Sequence, residues 1–140
     1  MMYRVKKFKT GKLVSLNIKR YLIKWDRKVS GPQKAVKDFL YPYWKYHLVV
    51  EEFRIPGSLL RCDLLNLTKK ISVEISPESV HGSFNKFFHR SRSGFLASIV
   101  RDVKKQEWLT ENGFECINLC EEGIEKLSYE FIQKEFGVSI

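Results

Sequence analysis

Hydrophobic positions along the chain change period several times, and each change marks an element. Tyr3 to Phe8 and Leu13 to Ile23 carry β-branched and aromatic residues on either side of Thr10-Gly11-Lys12, which predicts a hairpin. From Pro32 onward, Val36, Phe39, Leu40 and Tyr43 fall on one helical face; Ser30 would cap this helix, and Pro42 would distort or end it. Three strand-like runs follow, His47 to Arg54, Leu59 to Asn66 and Ile71 to Ser76, with Pro56-Gly57 as a turn between the first two. Leu96, Ile99, Val100 and Val103 return to helical spacing and predict a helix from about Phe95 to Glu111, stopped by Asn112-Gly113. Phe114 to Leu119 then reads as a strand. Glu122 to Phe136 reads as one helix with Ile124, Leu127, Phe131 and Ile132 on a stripe. This order, helix, three strands, helix, strand, helix, predicts an α/β sandwich around a mixed sheet. Residues 1–30 would form a basic hairpin or arm, and residues 31–140 the domain proper.

The second and third runs fix a register. If their hairpin turns about Thr68 and Lys69, cross-strand partners have numbers summing to 137. Cys62, Leu64 and Asn66 then share an apolar face with Ile75, Val73 and Ile71. On the other face Asp63 stands opposite Glu74, with Cβ atoms about 5 Å apart. Two carboxylates so placed repel, and partial burial raises the pKa of one unless a positive group lies between them. A hard divalent cation meets that need with one or two protein carboxylates, leaving its other positions for water and phosphate oxygens. Arg61, Lys69 or Lys70 could neutralise the pair instead, on an exposed sheet face.

Composition narrows the class. The chain has 140 residues, enough for one domain with its own core, and no apolar run long enough to span a bilayer. Three cysteines, Cys62, Cys116 and Cys120, argue against a disulfide framework and for a reduced, cytoplasmic setting. Cys116 and Cys120 lack the spacing and the second pair of a zinc site. No phosphate-binding glycine loop, dinucleotide fingerprint or Ser-His-Asp order is present. The net charge of +9 is unevenly distributed: residues 1–30 carry ten Lys/Arg against Asp26 alone, whereas residues 106–140 carry two against eight acids. A cationic body with an acidic tail predicts a polyanionic partner meeting one face, nucleic acid being the commonest. Lys6, Lys7, Lys9 and Lys12 of the hairpin are candidate phosphate contacts. So are Lys86, His89, Arg90 and Arg92, which interleave with Phe84, Phe87 and Phe88 in a mixture suited to stacking on bases and holding phosphates. Core packing of two of those phenylalanines is the competing reading.

With Asp63 and Glu74-x-Ser76 on adjacent strands, the chain resembles the PD-(D/E)XK nuclease superfamily, and more closely phage-borne relatives of very-short-patch repair and homing endonucleases. The stretches that carry the resemblance are YLIKWD (21 to 26), QKAVKDFLYPYW (33 to 44), EEFRIPGSLLRCDLLNLTKKISVEIS (51 to 76), FNKFFH (84 to 89) and RDVKKQEWLTENGF (101 to 114). The resemblance implies a restriction-endonuclease-like mixed sheet flanked by helices and a metal-dependent DNA endonuclease using Mg²⁺, with Mn²⁺ as a substitute. It implies Asp63 as the central metal ligand, Glu74 as the second acid, His81 as the histidine after that strand and Asp102 as the acid on the following helix. Glu51 or Glu52 is a further candidate on the preceding strand, and Gln33 takes the first-helix place where an acid is frequent. Ser76 stands where the superfamily lysine would be, and Pro77-Glu-Ser-Val-His81 lacks the usual glycine. Proton transfer would then fall to His81, whose reference pKa near 6.5 suits general acid-base work, or to Lys105, one turn after Asp102 and able to pair with it. The expected setting is the cytoplasm, that of a bacterial host if a phage encodes the chain, with DNA as partner, no membrane, and a partner protein or second copy to choose the target. A nucleic-acid-binding module that has lost catalysis is the alternative, and an RNA-directed protein the third.

Overall fold

The computed structural model describes residues 1–29, 31–76 and 92–140, with residues 92–96 and 98 described by backbone alone. Strands β1 (Met2–Lys6) and β2 (Leu13–Asn17) form the antiparallel hairpin expected from the sequence, and a short 3₁₀ turn, Lys19–Tyr21, follows. Helix α1 (Gly31–Trp44) leads into β3 (Val49–Arg54), β4 (Arg61–Asn66) and β5 (Ile71–Ile75); then come α2 (Arg92–Glu111), β6 (Glu115–Leu119), α3 (Glu121–Glu125) and α4 (Tyr129–Phe136). The sheet order is β3-β4-β5-β6, antiparallel except for the parallel β5 and β6. This is a mixed α/β architecture. Among the described residues no helix is long and apolar enough to cross a membrane.

Each face of the sheet buries its own cluster. On one, Val36, Leu40 and Trp44 of α1 and Ile132 of α4 pack on Val49, Leu64, Ile71, Val73 and Ile117. On the other, Val5 and Ile18 of the N-terminal segment and Trp108 and Leu109 of α2 pack on Val50, Phe53, Cys62 and Leu65. The hairpin is therefore docked on the domain rather than free as an arm. Trp108 Nε1 donates to the Lys6 carbonyl at 2.7 Å, and the Lys6 amide donates to Asn112 Oδ1 at 2.9 Å. The far end of the hairpin rests on the Pro56-Gly57 turn, where the Phe8 amide donates to the Pro56 carbonyl. Gly57 has φ +82°, and a Cβ there would lie 2.9 Å from Lys7 Cγ, so a glycine is required on both counts.

Helix α1 ends at Trp44, two residues past Pro42, in keeping with the expected ending near the proline. Two expectations are corrected. The C-terminal helix is two: the Ser128 backbone is extended, its hydroxyl caps α4 by accepting from the Phe131 amide, and the Cys120 sulfur caps α3. The expected apolar stripe of α2 faces solvent at Ile99, Val100 and Val103, each close to half exposed, because the helix meets the sheet with Trp108 and Leu109 one turn later.

Candidate functional site

The site is built where the β4–β5 ladder stops. Leu64, Leu65 and Asn66 pair with Val73, Ser72 and Ile71, the 137 register read from the sequence. At the next step the carboxylates replace the ladder. The Asp63 amide donates to Glu74 Oε2 at 2.9 Å, and the Ile75 amide donates to Asp63 Oδ2 at 2.8 Å. The two acids do stand together, but each holds the other's strand. The same point disturbs β3, where Glu52 lies between the Glu51–Leu64 and Phe53–Cys62 pairs with a left-handed φ of +51°. Side-chain alternation is broken in both strands. Phe53 and Cys62 therefore join the α2 side of the core, whereas Leu64 joins the α1 side, which corrects the expected common face of Cys62, Leu64 and Asn66.

Lys105 enters from α2. Its Nζ lies 3.1 Å from Glu74 Oε1, so it pairs with Glu74 and not with Asp102, which is exposed one turn away on the same helix. The contact is an ion pair to a buried carboxylate oxygen. Burial pushes the Glu74 carboxyl up to about 7, with the Asp63 charge adding to the rise and Lys105 opposing it. Burial alone would lower the Lys105 ammonium; the charges of Glu74 and Asp63 outweigh it and hold its pKa above the usual lysine value. Lys105 is accordingly a permanent cation at neutral pH.

Glu51 takes a different part from Glu52. Its Oε1 pairs with Lys37 Nζ at 3.0 Å and its Oε2 accepts from the Lys24 amide at 2.7 Å, while Lys37 Nζ also donates to the Lys24 carbonyl at 2.7 Å. Both side chains are nearly buried, so the pair is a clamp on the chain at Lys24. Glu52 is exposed and lines, with Gln33, Lys37, Glu51 and Asp63, the small cleft at the edge of the acidic pair. Lys37 had a signal in the sequence, a lysine set on the Val36, Leu40, Trp44 stripe, that pattern reading passed over.

Of the other expected residues, Lys7, Lys9 and Lys12 are exposed on the hairpin and Lys6 is half-buried. His81, Lys86, His89 and Arg90 lie outside the described residues, and Arg92 opens α2 with its side chain outside them. Ser76 is exposed after β5 and donates its amide to Leu119. Among the described residues no three His, Cys, Asp or Glu side chains group as a metal site. Comparison with protein-family models, with curated proteins and with solved structures gives no match to this chain.

Two carboxylates remain as the donor set for a cation. Glu74 Oε1, buried and faced by the Lys105 ammonium at 3.1 Å, and the Asp63 carboxylate are the donors that a hard divalent ion taking few protein ligands and keeping its waters would use, in place of the ammonium at that oxygen.

Proposed function

We propose that the chain is a divalent-metal-dependent DNA endonuclease, with Asp63 and Glu74 as ligands for Mg²⁺ or Mn²⁺. The observation that carries this reading is the convergence of two acids and one half-buried lysine at the interrupted end of the sheet. When bound, the ion would lower the pKa of a water nucleophile and neutralise phosphate charge. The chain's own residues supply the rest. Asp63 and Glu74 hold negative charge at a fixed point because each is tied to the other's backbone. Lys105, charged and held against Glu74, offers an ammonium to stabilise the charge that builds on phosphate oxygens, and a proton for the leaving oxygen. It takes the part that the exposed Ser76 is unable to fill. Glu52, at the edge of the cleft, would orient water, and Asp102 has no part in this reading.

The test is conversion of supercoiled plasmid in Mg²⁺, in Mn²⁺ and in EDTA, beside Asp63→Asn. Asparagine keeps an acceptor for the Ile75 amide and removes the charge. Metal-dependent nicking that vanishes in the variant is the expected result. Equal cutting by the variant would overturn the assigned site. The carboxylates' mutual backbone bonds favour one competing reading, a nucleic-acid-binding module in which they are structural; binding with no cutting in either metal would select it.

A further inference from the structure

The cations near the acidic pair are arranged, and they are not the ones the sequence singled out. A groove of about 350 Å³ is lined by Arg20, Lys24, Arg27, Arg54 and Arg61, all exposed, with Glu52 among them. Glu51 and Glu52 also line the cleft that holds Asp63, so groove and site share a wall. The charge of Glu51 is met by Lys37, leaving Glu52 as the one lining acid without an ion pair among the described residues. Two further grooves, of about 420 and 750 Å³, continue around Arg20 and Tyr21.

Two of the lining cations are held by side-chain contacts. The Arg20 guanidinium lies 4.7 Å from the Tyr21 ring centre and donates to the Tyr21 hydroxyl at 2.7 Å; Arg54 Nε donates to the Ser58 carbonyl at 3.0 Å. Arg27 and Arg61 make no side-chain hydrogen bond or ion pair among the described residues. The strap, residues 22–27, is tied to β3 by the hydrogen bond that the Ile23 amide donates to the Val49 carbonyl, the Leu22–Val50 bridge and the Glu51–Lys37 clamp. A single small anion calls for donors that converge on a point. Cations from the 3₁₀ turn, the strap and the ends of β3 and β4, strung along continuous grooves, match a repeating line of phosphates instead.

We propose that this groove binds the sugar–phosphate backbone of duplex DNA and leads it past Glu52 to Asp63 and Glu74, with the Lys37–Glu51 pair positioning the strap. The proposal rests on the nuclease reading for its direction, and its test is independent of cutting. Binding of a short fluorescein-labelled DNA duplex is followed by anisotropy in EDTA from about 50 to 200 mM salt. Each lost phosphate contact makes the log–log salt slope shallower by about 0.9, so Arg27→Ala with Arg61→Ala should flatten it by about 1.8. The control is Lys126→Ala with Lys134→Ala, which removes equal charge from two exposed lysines, at the end of α3 and in α4, that line none of these grooves. An unchanged slope in the arginine variant, or equal flattening in the control, overturns the groove. Plasmid nicking in Mg²⁺ reads the other claim: groove-dependent binding by a protein that never cuts removes the nuclease reading alone, and cutting with an unaltered slope removes the groove alone.

Discussion

Replacing Glu74 by glutamine separates the electrostatic cost of the site from its shape. Glutamine keeps an acceptor for the Asp63 amide and has no charge to bury. In the folded wild type the carboxyl titrates near 7, against 4.5 for the free group, because it is buried beside Asp63. Between those values the folded chain binds more protons than the unfolded one, so stability falls as pH rises. The full difference corresponds to about 3 kcal/mol at 1.36 kcal/mol per pH unit, most of which falls between about pH 5 and pH 8. For 140 residues an unfolding entropy of about 0.3 kcal/mol per kelvin turns that into a Tm lower by about 8 °C at the alkaline end. Glu74→Gln should show none of this loss, so the difference between the two melting profiles against pH isolates the group from every other titration. Saturating Mg²⁺ should raise the wild-type Tm at pH 8 by favouring the carboxylate, and leave the variant's unchanged. Parallel profiles for the two proteins from pH 5 to 8 would refute the buried, repelled carboxyl as the origin of the site's strain.

Three other outcomes follow from the geometry. Lys105→Met should lower the nicking rate about 10²- to 10³-fold with DNA affinity nearly unchanged, since one charged donor at the phosphate is lost; single-turnover kinetics beside anisotropy would show it, and an equal loss in affinity would count against the role. Lys37→Met leaves Glu51 nearly buried without its cation and should cost about 3–5 kcal/mol in urea unfolding, whereas Lys34→Met, at the exposed Lys34–Asp38 pair, should cost under about 1 kcal/mol. Ser128→Ala removes the cap of α4 and should cost about 1 kcal/mol, with Ser128→Asp retaining most of the stability.

Much of the fold was readable because its strands obey strict local rules. The 137 register follows from alternation in Arg61–Asn66 and Ile71–Ile75, and it brought Asp63 and Glu74 together correctly. The break in alternation was hidden. A left-handed backbone at Glu52 has no glycine to announce it, and the exchange of backbone bonds for carboxylate bonds at Asp63 depends on both strands at once. The division between α3 and α4 was hidden for a related reason, since Ile124, Leu127, Phe131 and Ile132 keep helical spacing and all pack on the core across the break. Lys105 was named for its helix position, yet its partner lies on a strand 31 residues earlier in sequence, which i, i+3 reasoning does not reach. The arginine groove draws on three separate segments, and no window of sequence contains it.

Cys62 stands next to Asp63 with its thiol fully enclosed. Burial pushes that thiol far up, with the Glu74 charge adding to the rise. A thiol in that state reacts with alkylating reagents only when the strand end opens, because the thiolate is the nucleophile. The site thus contains its own clock. Labelling of Cys62 counts the openings of the end of β4 where carboxylates stand in for the ladder, while the partly exposed Cys120 measures reagent potency in the same sample. Any cation or DNA strand that tightens this end should slow the first rate and leave the second alone, turning an inert core residue into a record of how often the site breathes.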